Sequence, residues 1–382
     1  MDDRGDVTRI HLGLTRLAAS LAGGATDGLA VYGRHLLEGL AARDDLAVSP
    51  FGFGTPAVRA GQQAIRPMPG FLRQAAPSLL GLPGFPALDR IARPGDLVHA
   101  TDHFIPRCRH APVVATLMDA LPLSHPQWAN PRWRRLKNSV WKRSTRWADR
   151  VIAPSAFSRG ELIRHFRIPE TRISVVPLGV DLMWFAPPDP RRVAELRARL
   201  GIPGRYFLFV GTIQPRKNLA AALDGWAGLS SERRAALPLL VVGRAGPGSA
   251  NDRLRLRADP GPGPRWLGAL PLADLHALLH GAEALLFPSL YEGFGLPVLE
   301  AFAAGVPVIA ANATSLPEVA GEAAWLVDPR SAAEITQALE AVLDDPARRA
   351  GRVERGLTRA RQFSWARTVD ETVKVYRRVL GA

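Results

Sequence analysis

Along the second half of the chain, short runs of consecutive apolar residues alternate with stretches whose apolar positions recur every three or four residues. The runs Tyr206–Gly211 (YFLFVG), Leu239–Gly243 (LLVVG), Ala284–Phe287 (ALLF) and Val306–Ala310 (VPVIA) have strand length and no polar face. Such runs predict a parallel sheet covered on both sides. Helical spacing over about 218–229, 272–281 and 297–304 fills the gaps, so the order is β/α throughout. The first half repeats the scheme with more interruptions. Asp96–Ala100, Val113–Leu117 and Val151–Ala153 read as strands, and Leu29–Arg43 reads as an amphipathic helix. Between about 52 and 94, Gly and Pro break both periods and no element is assigned. Residues 177–190 (PLGVDLMWFAPPDP) have the punctuation of a linker. A helix over about 364–379 closes the chain, and no repeat of solenoid period occurs. At 382 residues the chain exceeds what one hydrophobic core usually holds. The expected division is a first domain over 1–185, a second over 186–361, and a closing segment, 362–382, that returns to the first.

The segment Phe287 to Val308 (FPSLYEGFGLPVLEAFAAGVPV) carries the most chemistry. A strand ends, a loop with Gly293 and Gly295 follows, and a helix opens with Pro297 as its expected first residue and Gly305 past its end. Glycines before a helix N-terminus clear side chains from unpaired N–H groups, which suits a diphosphate. The place is the carboxyl end of a parallel strand, where open α/β sheets bind ligands. Glu292 in the loop and Glu300 one turn into the helix each offer a carboxylate to a sugar or ribose diol. Taken singly, Glu292 reads equally as a solvated loop residue and Glu300 as a helix-dipole partner. A second element, Gly211-Thr212-Ile-Gln-Pro-Arg216-Lys217-Asn218, follows another strand of the same sheet. It places two cations where they can offset a pyrophosphate, although P-R-K also fits an exposed turn.

Composition removes several function classes. Hydrophobic residues are 47% and charged residues 22%, which is globular rather than disordered. The net charge of +14 invites a nucleic-acid partner, but the basic set is almost entirely Arg; the lysines are Lys137, Lys142, Lys217 and Lys374. No zinc-finger, RNA-binding or helix-turn-helix signature accompanies it, so no nucleic-acid partner is expected. The single cysteine, Cys108, excludes a disulfide framework and a Cys-based zinc site. Residues 1–9 carry charges rather than an apolar leader, and no apolar run reaches the ~18 residues of a membrane span. The expected location is cytoplasmic, with peripheral contact at the inner membrane face as an option.

These motifs bring the chain close to one family. It resembles the family 4 glycosyltransferases, retaining enzymes of the GT-B fold, and in particular their bacterial mannosyltransferase-like members. The resemblance covers most of the chain and is tightest from Phe207 to Pro329. E-G-F-G-L-P-V-L-E and G-T-x-x-P-R-K-N carry it, with V-I-A-P-S-A-F-S-R (151–159) and I-S-V-V-P-L-G-V-D (173–181) in support. It implies two Rossmann-like domains with parallel sheets facing across a donor cleft, the first binding acceptor and the second binding the nucleotide-sugar donor. Glu300 then holds the ribose hydroxyls and Glu292 faces the transferred sugar. The backbone at Phe294, Gly295 and Leu296 meets the diphosphate with Arg216 and Lys217, beside Gly211 and Thr212. GDP-mannose is the first donor to expect, and the acceptor is a glycan or lipid-linked saccharide in cell-surface polysaccharide synthesis. In the first half, Gly28 to Leu40 looks like the family's glycine loop and first helix, with Ala30 and Val31 where a second glycine and an arginine are common. In V-V-A-T-L-M-D-A-L-P-L (113–123), Asp119 is retained, but Met118 stands where the family commonly has histidine. A thioether neither donates a hydrogen bond nor carries a proton. His99 and His103 are candidates for that task, each also readable as a satisfied core or loop histidine.

Retaining transfer in this family is thought to use the leaving diphosphate as proton acceptor, and no enzymic nucleophile stands out here. No Asp-x-Asp occurs, so neither a metal nor another cofactor is expected. The competing readings are a GT-B sugar-nucleotide epimerase, a phosphorylase or glycosidase, and a catalytically impaired relative acting as a binding or assembly subunit. Residues 132–150 read as one basic helix. Trp133, Leu136, Val140, Ser144 and Trp147 share one face, and Arg132, Arg135, Lys142, Arg143, Arg146 and Arg150 gather on the other. The basic face is either merely solvated or a contact for an anionic membrane surface.

Overall fold

The computed structural model describes residues 7–24, 27–79, 85–128, 134–202, 204–257 and 263–381, with backbone only for 134–137 and 257. The chain divides into two compact units, one formed by residues 1–179 and 365–382, the other by 180–364. The crossings sit side by side: Val180 N–H donates to the Phe363 carbonyl at 3.1 Å, and Val180 bridges Ser364. Adjacency of those two points moves the division earlier than 185/186 on the first crossing and later than 361/362 on the second.

Among the described residues the first unit has eight strands: β1 (Thr8–Gly13), β2 (Leu46–Phe53), β3 (Val58–Ala60), β4 (Gln63–Met68), β5 (Leu97–Ala100), β6 (Val113–Thr116), β7 (Arg150–Ala153) and β8 (Ile173–Val175). Their order is β3-β4-β2-β1-β5-β6-β7-β8, parallel except for the β3–β4 pair. Strand β1 therefore leads first to β2 on one side, and the chain later returns to β5 on the other. That reversal puts the carboxyl ends of β1 and β5 at a topological switch point. The stretch left unassigned holds β3, β4 and a helix, Phe71–Leu79, that carries Pro77 inside it. A short apolar helix, Thr15–Leu21, precedes the amphipathic one, Gly28–Ala41. The basic stretch is not one helix. It is helical over Arg134–Ser144, tightens to a 3-10 turn at Thr145–Trp147, and enters β7 at Arg150 because Ala148 is already extended (ψ 133°). Val140 and Ser144 are buried there, while Trp141 and Trp147 lean on the core. Arg132 and Trp133 lie outside the described residues, as do the side chains of Arg135 and Leu136.

The second unit holds β9 (Phe207–Val210), β10 (Leu239–Val242), β11 (Arg265–Gly268), β12 (Ala284–Phe287), β13 (Val308–Ala311) and β14 (Trp325–Val327). They are all parallel, in the order β11-β10-β9-β12-β13-β14, so the reversal falls between β9 and β12. The central strands are buried on both faces, as their unbroken apolar runs require. Strand β13 begins two residues later than its apolar run, after Pro307, which has no N–H for a ladder. Next to the reversal the backbones touch. A Cβ on Gly243 would lie 1.9 Å from the Gly211 carbonyl oxygen, so only glycine fits after β10. No helix among the described residues is long and apolar enough to cross a membrane.

Candidate functional site

In the second unit, the loops after β9 and β12 meet. Past Gly211 the chain makes a 3-10 turn, Pro215–Lys217, and Asn218 adopts a left-handed conformation (φ 58°). Asn218 Nδ2 then donates to the carbonyls of Pro288 (3.0 Å) and Pro329 (2.6 Å), tying together the loops after β9, β12 and β14. The Leu290 N–H donates to the Arg216 carbonyl at 2.7 Å. These bonds force the two basic residues against the E-G-F-G loop.

Lys217 Nζ donates to Glu292 Oε1 at 2.5 Å, and Arg216 Nη1 donates to Glu292 Oε2 and to the Tyr291 carbonyl, both at 3.1 Å. The Lys217 ammonium also lies 4.6 Å from the centre of the Phe287 ring. In sequence the cations and Glu292 belong to separate motifs; the structure makes them one cluster with a single net positive charge. Burial works against the Glu292 carboxylate, but the charges of Lys217 and Arg216 outweigh it and hold its pKa below the ordinary range. Burial pulls Lys217 down as well, Glu292 restores part of that loss, and Arg216 adds repulsion. Gly211 has φ 149°, a conformation that favours glycine, and the Lys217 stem runs beside it, 3.4 Å from where a Cβ would stand. Thr212 follows in the same loop.

The helix after this loop is Leu296–Ala303, capped by Gly295, so Leu296 rather than Pro297 is its first residue. Gly295 has φ 119°, and a Cβ on it would lie 2.6 Å from Leu316 Cδ2; conformation and space both demand glycine. The helix ends in a Schellman pattern, Gly305 N–H to Phe302 and Val306 N–H to Ala301. Its N-terminus presents the backbone of Gly295 and Leu296 and the positive end of the dipole, with Phe294 just ahead. Glu300, half-buried in the second turn, has no ion-pair geometry with the cluster. Burial raises its pKa to about 7, Asp181 adds like charge, and Lys217 offsets part of the rise. A carboxyl poised near neutrality beside a helix N-terminus is a strong acceptor for hydroxyl donors once ionised.

The sequence motif did not reveal what fixes the loop's shape. Ser315, fully buried, donates its hydroxyl to the carbonyls of Glu292 (2.9 Å) and Phe294 (2.8 Å), and Glu292 N–H donates to Thr314 Oγ1 at 3.2 Å. The spelling Ser315-Leu-Pro-Glu318 resembles a helix capping box, but no side-chain cap bond forms.

The remaining candidates lie in the first unit. Gly28 opens the helix Gly28–Ala41 and is exposed; Asp27 caps that helix through the Ala30 N–H (3.0 Å) and pairs with Arg16. Asp119 follows β6 and its Oδ1 accepts from the Leu121 N–H at 2.9 Å, while the Met118 carbonyl accepts from Ser158 Oγ at 2.7 Å. His99 is a core residue. Its Nδ1 bonds the Tyr376 hydroxyl (2.6 Å) and its Nε2 bonds Thr116 Oγ1 (2.8 Å), which also meets the Tyr32 hydroxyl (2.9 Å). Burial drops the His99 pKa to about 3, so the ring is neutral. His103 stacks on Trp141 at 4.7 Å; burial lowers its pKa and the Asp119 charge opposes the change. Asp102, after β5, is 5% exposed; its Oδ1 accepts from the Phe104 N–H (2.8 Å), its Oδ2 has no hydrogen-bond partner, and burial lifts its pKa to about 7. Among the described residues no group of three or more His, Cys, Asp or Glu side chains is placed to hold a metal ion.

Residues 26–184 match the family described as Glycosyltransferase Family 4, and residues 193–359 match Glycosyl transferases group 1. The chain is 34% identical over 290 residues to O-antigen chain mannosyltransferase B of Escherichia coli, covering 74% of each chain. In three dimensions it resembles sucrose-phosphate synthase from Thermosynechococcus elongatus, with a TM-score of 0.75 at 22% identity over 98% of this chain and 99% of that one. Anabaena HepE, solved in complex with UDP and glucose, gives a TM-score of 0.73 at 20% identity over 97% and 99% of the two chains. With two parallel-sheet α/β units, a fold of the GT-B type and these relatives, the chain belongs to the family 4 glycosyltransferases.

Proposed function

We propose that this protein moves a hexose, with mannose the first to test, from a nucleotide-diphosphate sugar to a glycan or lipid-linked saccharide, retaining the anomeric configuration. The observation that carries the reading is the convergence of Arg216, Lys217, Glu292 and the Gly295-capped helix at the strand reversal of one sheet. In this reading the diphosphate lies against the backbone at Phe294, Gly295 and Leu296. Arg216 and Lys217 neutralise the charge that builds on it as the bond from sugar C1 to phosphate oxygen breaks. Glu292 orients the sugar and holds both cations in place. Glu300 accepts from the ribose hydroxyls. The acceptor oxygen bonds C1 on the face the diphosphate leaves, and its proton passes to the departing phosphate oxygen, so no enzymic nucleophile and no metal ion are required. Asp119 orders the loop after β6 on the acceptor side, and Gly28 leaves the start of its helix open to ligand. The similarity to a mannosyltransferase supports mannose; HepE, with UDP and glucose, keeps other donors in the test.

The acceptor's lipid link is read from charge. The first unit carries 28 Lys and Arg against 16 Asp and Glu, the second 21 against 19. An anionic membrane surface attracts such an excess with about 1 kcal/mol per cation near the surface. That attraction supports a peripheral position at the inner membrane face, with polysaccharide synthesis in the cytoplasm as the proposed setting. The deciding experiment is a thermal-shift panel of GDP, UDP, ADP and dTDP, followed by transfer from the matching sugar nucleotide. A ligand at 100 times its dissociation constant adds about 2.7 kcal/mol. The proposal fails if no nucleoside diphosphate at millimolar concentration raises the midpoint.

A further inference from the structure

The loop after β13 is the least expected part of the second unit. Thr314 holds φ 57°, a left-handed conformation that β-branched residues rarely adopt. Ser315 diverts its hydroxyl from the helix it precedes to two carbonyls of another loop. Leu316 supplies the methyl group that excludes a side chain at Gly295. Thr314 and Ser315 therefore hold Glu292 N–H, Glu292 C=O and Phe294 C=O of the E-G-F-G turn, and Leu316 Cδ2 lies 2.6 Å from where a Cβ on Gly295 would stand.

We infer that Thr314 and Ser315 are positioning residues for sugar transfer: Thr314 sets the Glu292 end of the loop, where the sugar lies, and Ser315 sets both that end and the Phe294 end, where the diphosphate lies. The inference rests on the reading of this loop as the donor site. Thr314 accepts the Glu292 amide at 3.2 Å while it holds that left-handed backbone state. Neither residue touches the reacting atoms; each acts through the carboxylate and backbone it holds.

The test uses the full chain with Thr314→Gly, Thr314→Ser, Ser315→Ala and Ser315→Thr. Thr336→Val serves as control, since Thr336 Oγ1 donates to the Gly225 and Ala332 carbonyls away from the site in the same unit. Readouts are the thermal midpoint, the dissociation constant of the nucleoside diphosphate that stabilises the wild type most, and kcat. Thr314→Gly relieves the backbone but leaves the Glu292 N–H without its acceptor, so its midpoint falls no further than that of Ser315→Ala, yet kcat falls about tenfold or more with nucleotide affinity kept. Ser315→Ala loses about tenfold or more in both affinity and kcat. The hydroxyl-keeping variants Thr314→Ser and Ser315→Thr recover most of the activity, and Thr336→Val changes only the midpoint. If Thr314→Gly and Ser315→Ala lose no more turnover than Thr336→Val while the wild type transfers sugar, the positioning role is overturned and the donor site stands. If the wild type neither binds nucleotide nor transfers sugar, both readings fall.

Discussion

The two units reverse strand order in the same way, at β1/β5 and at β9/β12, but they put opposite chemistry beside the reversal. In the second unit the place is ionic: one buried carboxylate holds an ammonium and a guanidinium, and a neighbouring carboxyl titrates near neutrality. In the first unit the buried side chains are joined by hydrogen bonds between uncharged groups. Tyr32, Thr116, His99 and Tyr376 form a buried chain of hydrogen bonds, and the nearby Asp102 has a pKa lifted to about 7. Net charge runs the other way, with the first unit strongly basic and the second nearly balanced. A concentrated charge cluster belongs where charge develops in a reaction; a neutral network serves to fix elements that arrive from distant parts of the chain.

The sharpest way to break the contrast is Glu292→Gln. It leaves Lys217 buried without its carboxylate, which costs about 3–5 kcal/mol in unit stability. Turnover should fall by about 10²–10³ as the cations lose their fixed positions. A folded Glu292→Gln protein with wild-type kcat would show that the cluster is structural only. In the first unit the corresponding change is Tyr376→Phe, which orphans His99 Nδ1 and should cost about 1–3 kcal/mol. Deleting 365–382 removes the whole helix, including Trp365, which stacks on His35 at 4.4 Å, and should leave aggregating protein. A soluble and active truncation contradicts this.

His99 also gives the first unit an acid limit. Its pKa is about 3 in the folded state against 6.5 in the unfolded chain, so the unfolded state binds the proton first and stability is lost as pH falls below 6.5 toward about 3. Hydrogen exchange should quicken in β5, β6 and the helix Trp365–Leu380 before it does in β9 and β12. Equal acceleration in both units would erase the distinction.

Glu300 has the opposite sign. Its folded pKa of about 7 exceeds 4.5, so its ionisation destabilises the second unit as pH rises through that window. In the proposed function the same ionisation creates the acceptor for ribose hydroxyls. Nucleotide affinity should rise from pH 6 to 8, and Glu300→Ala should weaken it by about 1.5–3 kcal/mol per lost hydrogen bond and flatten the pH profile. An unchanged calorimetric dissociation constant in the variant removes Glu300 from the site. The smallest effects concern what lies outside both clusters. Anionic vesicles at low salt should sediment the protein and release it as salt rises, through the basic unit. Excess EDTA should leave turnover unchanged; loss restored by manganese would transfer the neutralising task from Arg216 and Lys217 to an ion.

Most strands of the second sheet were legible because burial on both faces writes them as unbroken apolar runs, and Leu239–Val242 and Ala284–Phe287 fall within those runs. The E-G-F-G loop and the P-R-K turn were legible for a different reason. Gly295, Glu292, Arg216 and Lys217 are residue types with few substitutes in their roles, so local spelling exposes them. In the first unit, β3, β4 and the helix Phe71–Leu79 escaped because short edge elements with Gly and Pro have no clean period. The basic stretch 132–150 ends its helix at Ser144, earlier than its periodicity implies, because helical periodicity cannot register the 3-10 turn at Thr145–Trp147.

By itself the sequence determined the β/α order, the closing helix and the chemical types in the E-G-F-G loop, since these depend on neighbours within one or two turns of chain. Only the tertiary structure decided that Glu292 takes both cations, that Asn218 ties three loops, that Ser315 serves a distant carbonyl pair instead of its own helix, and that His99 is a neutral core residue. Each of those outcomes joins residues between 17 and 277 positions apart. A hydrogen bond or pKa depends on which atoms surround a group and how much water they exclude, and for such pairs that is set by the packing of the sheets.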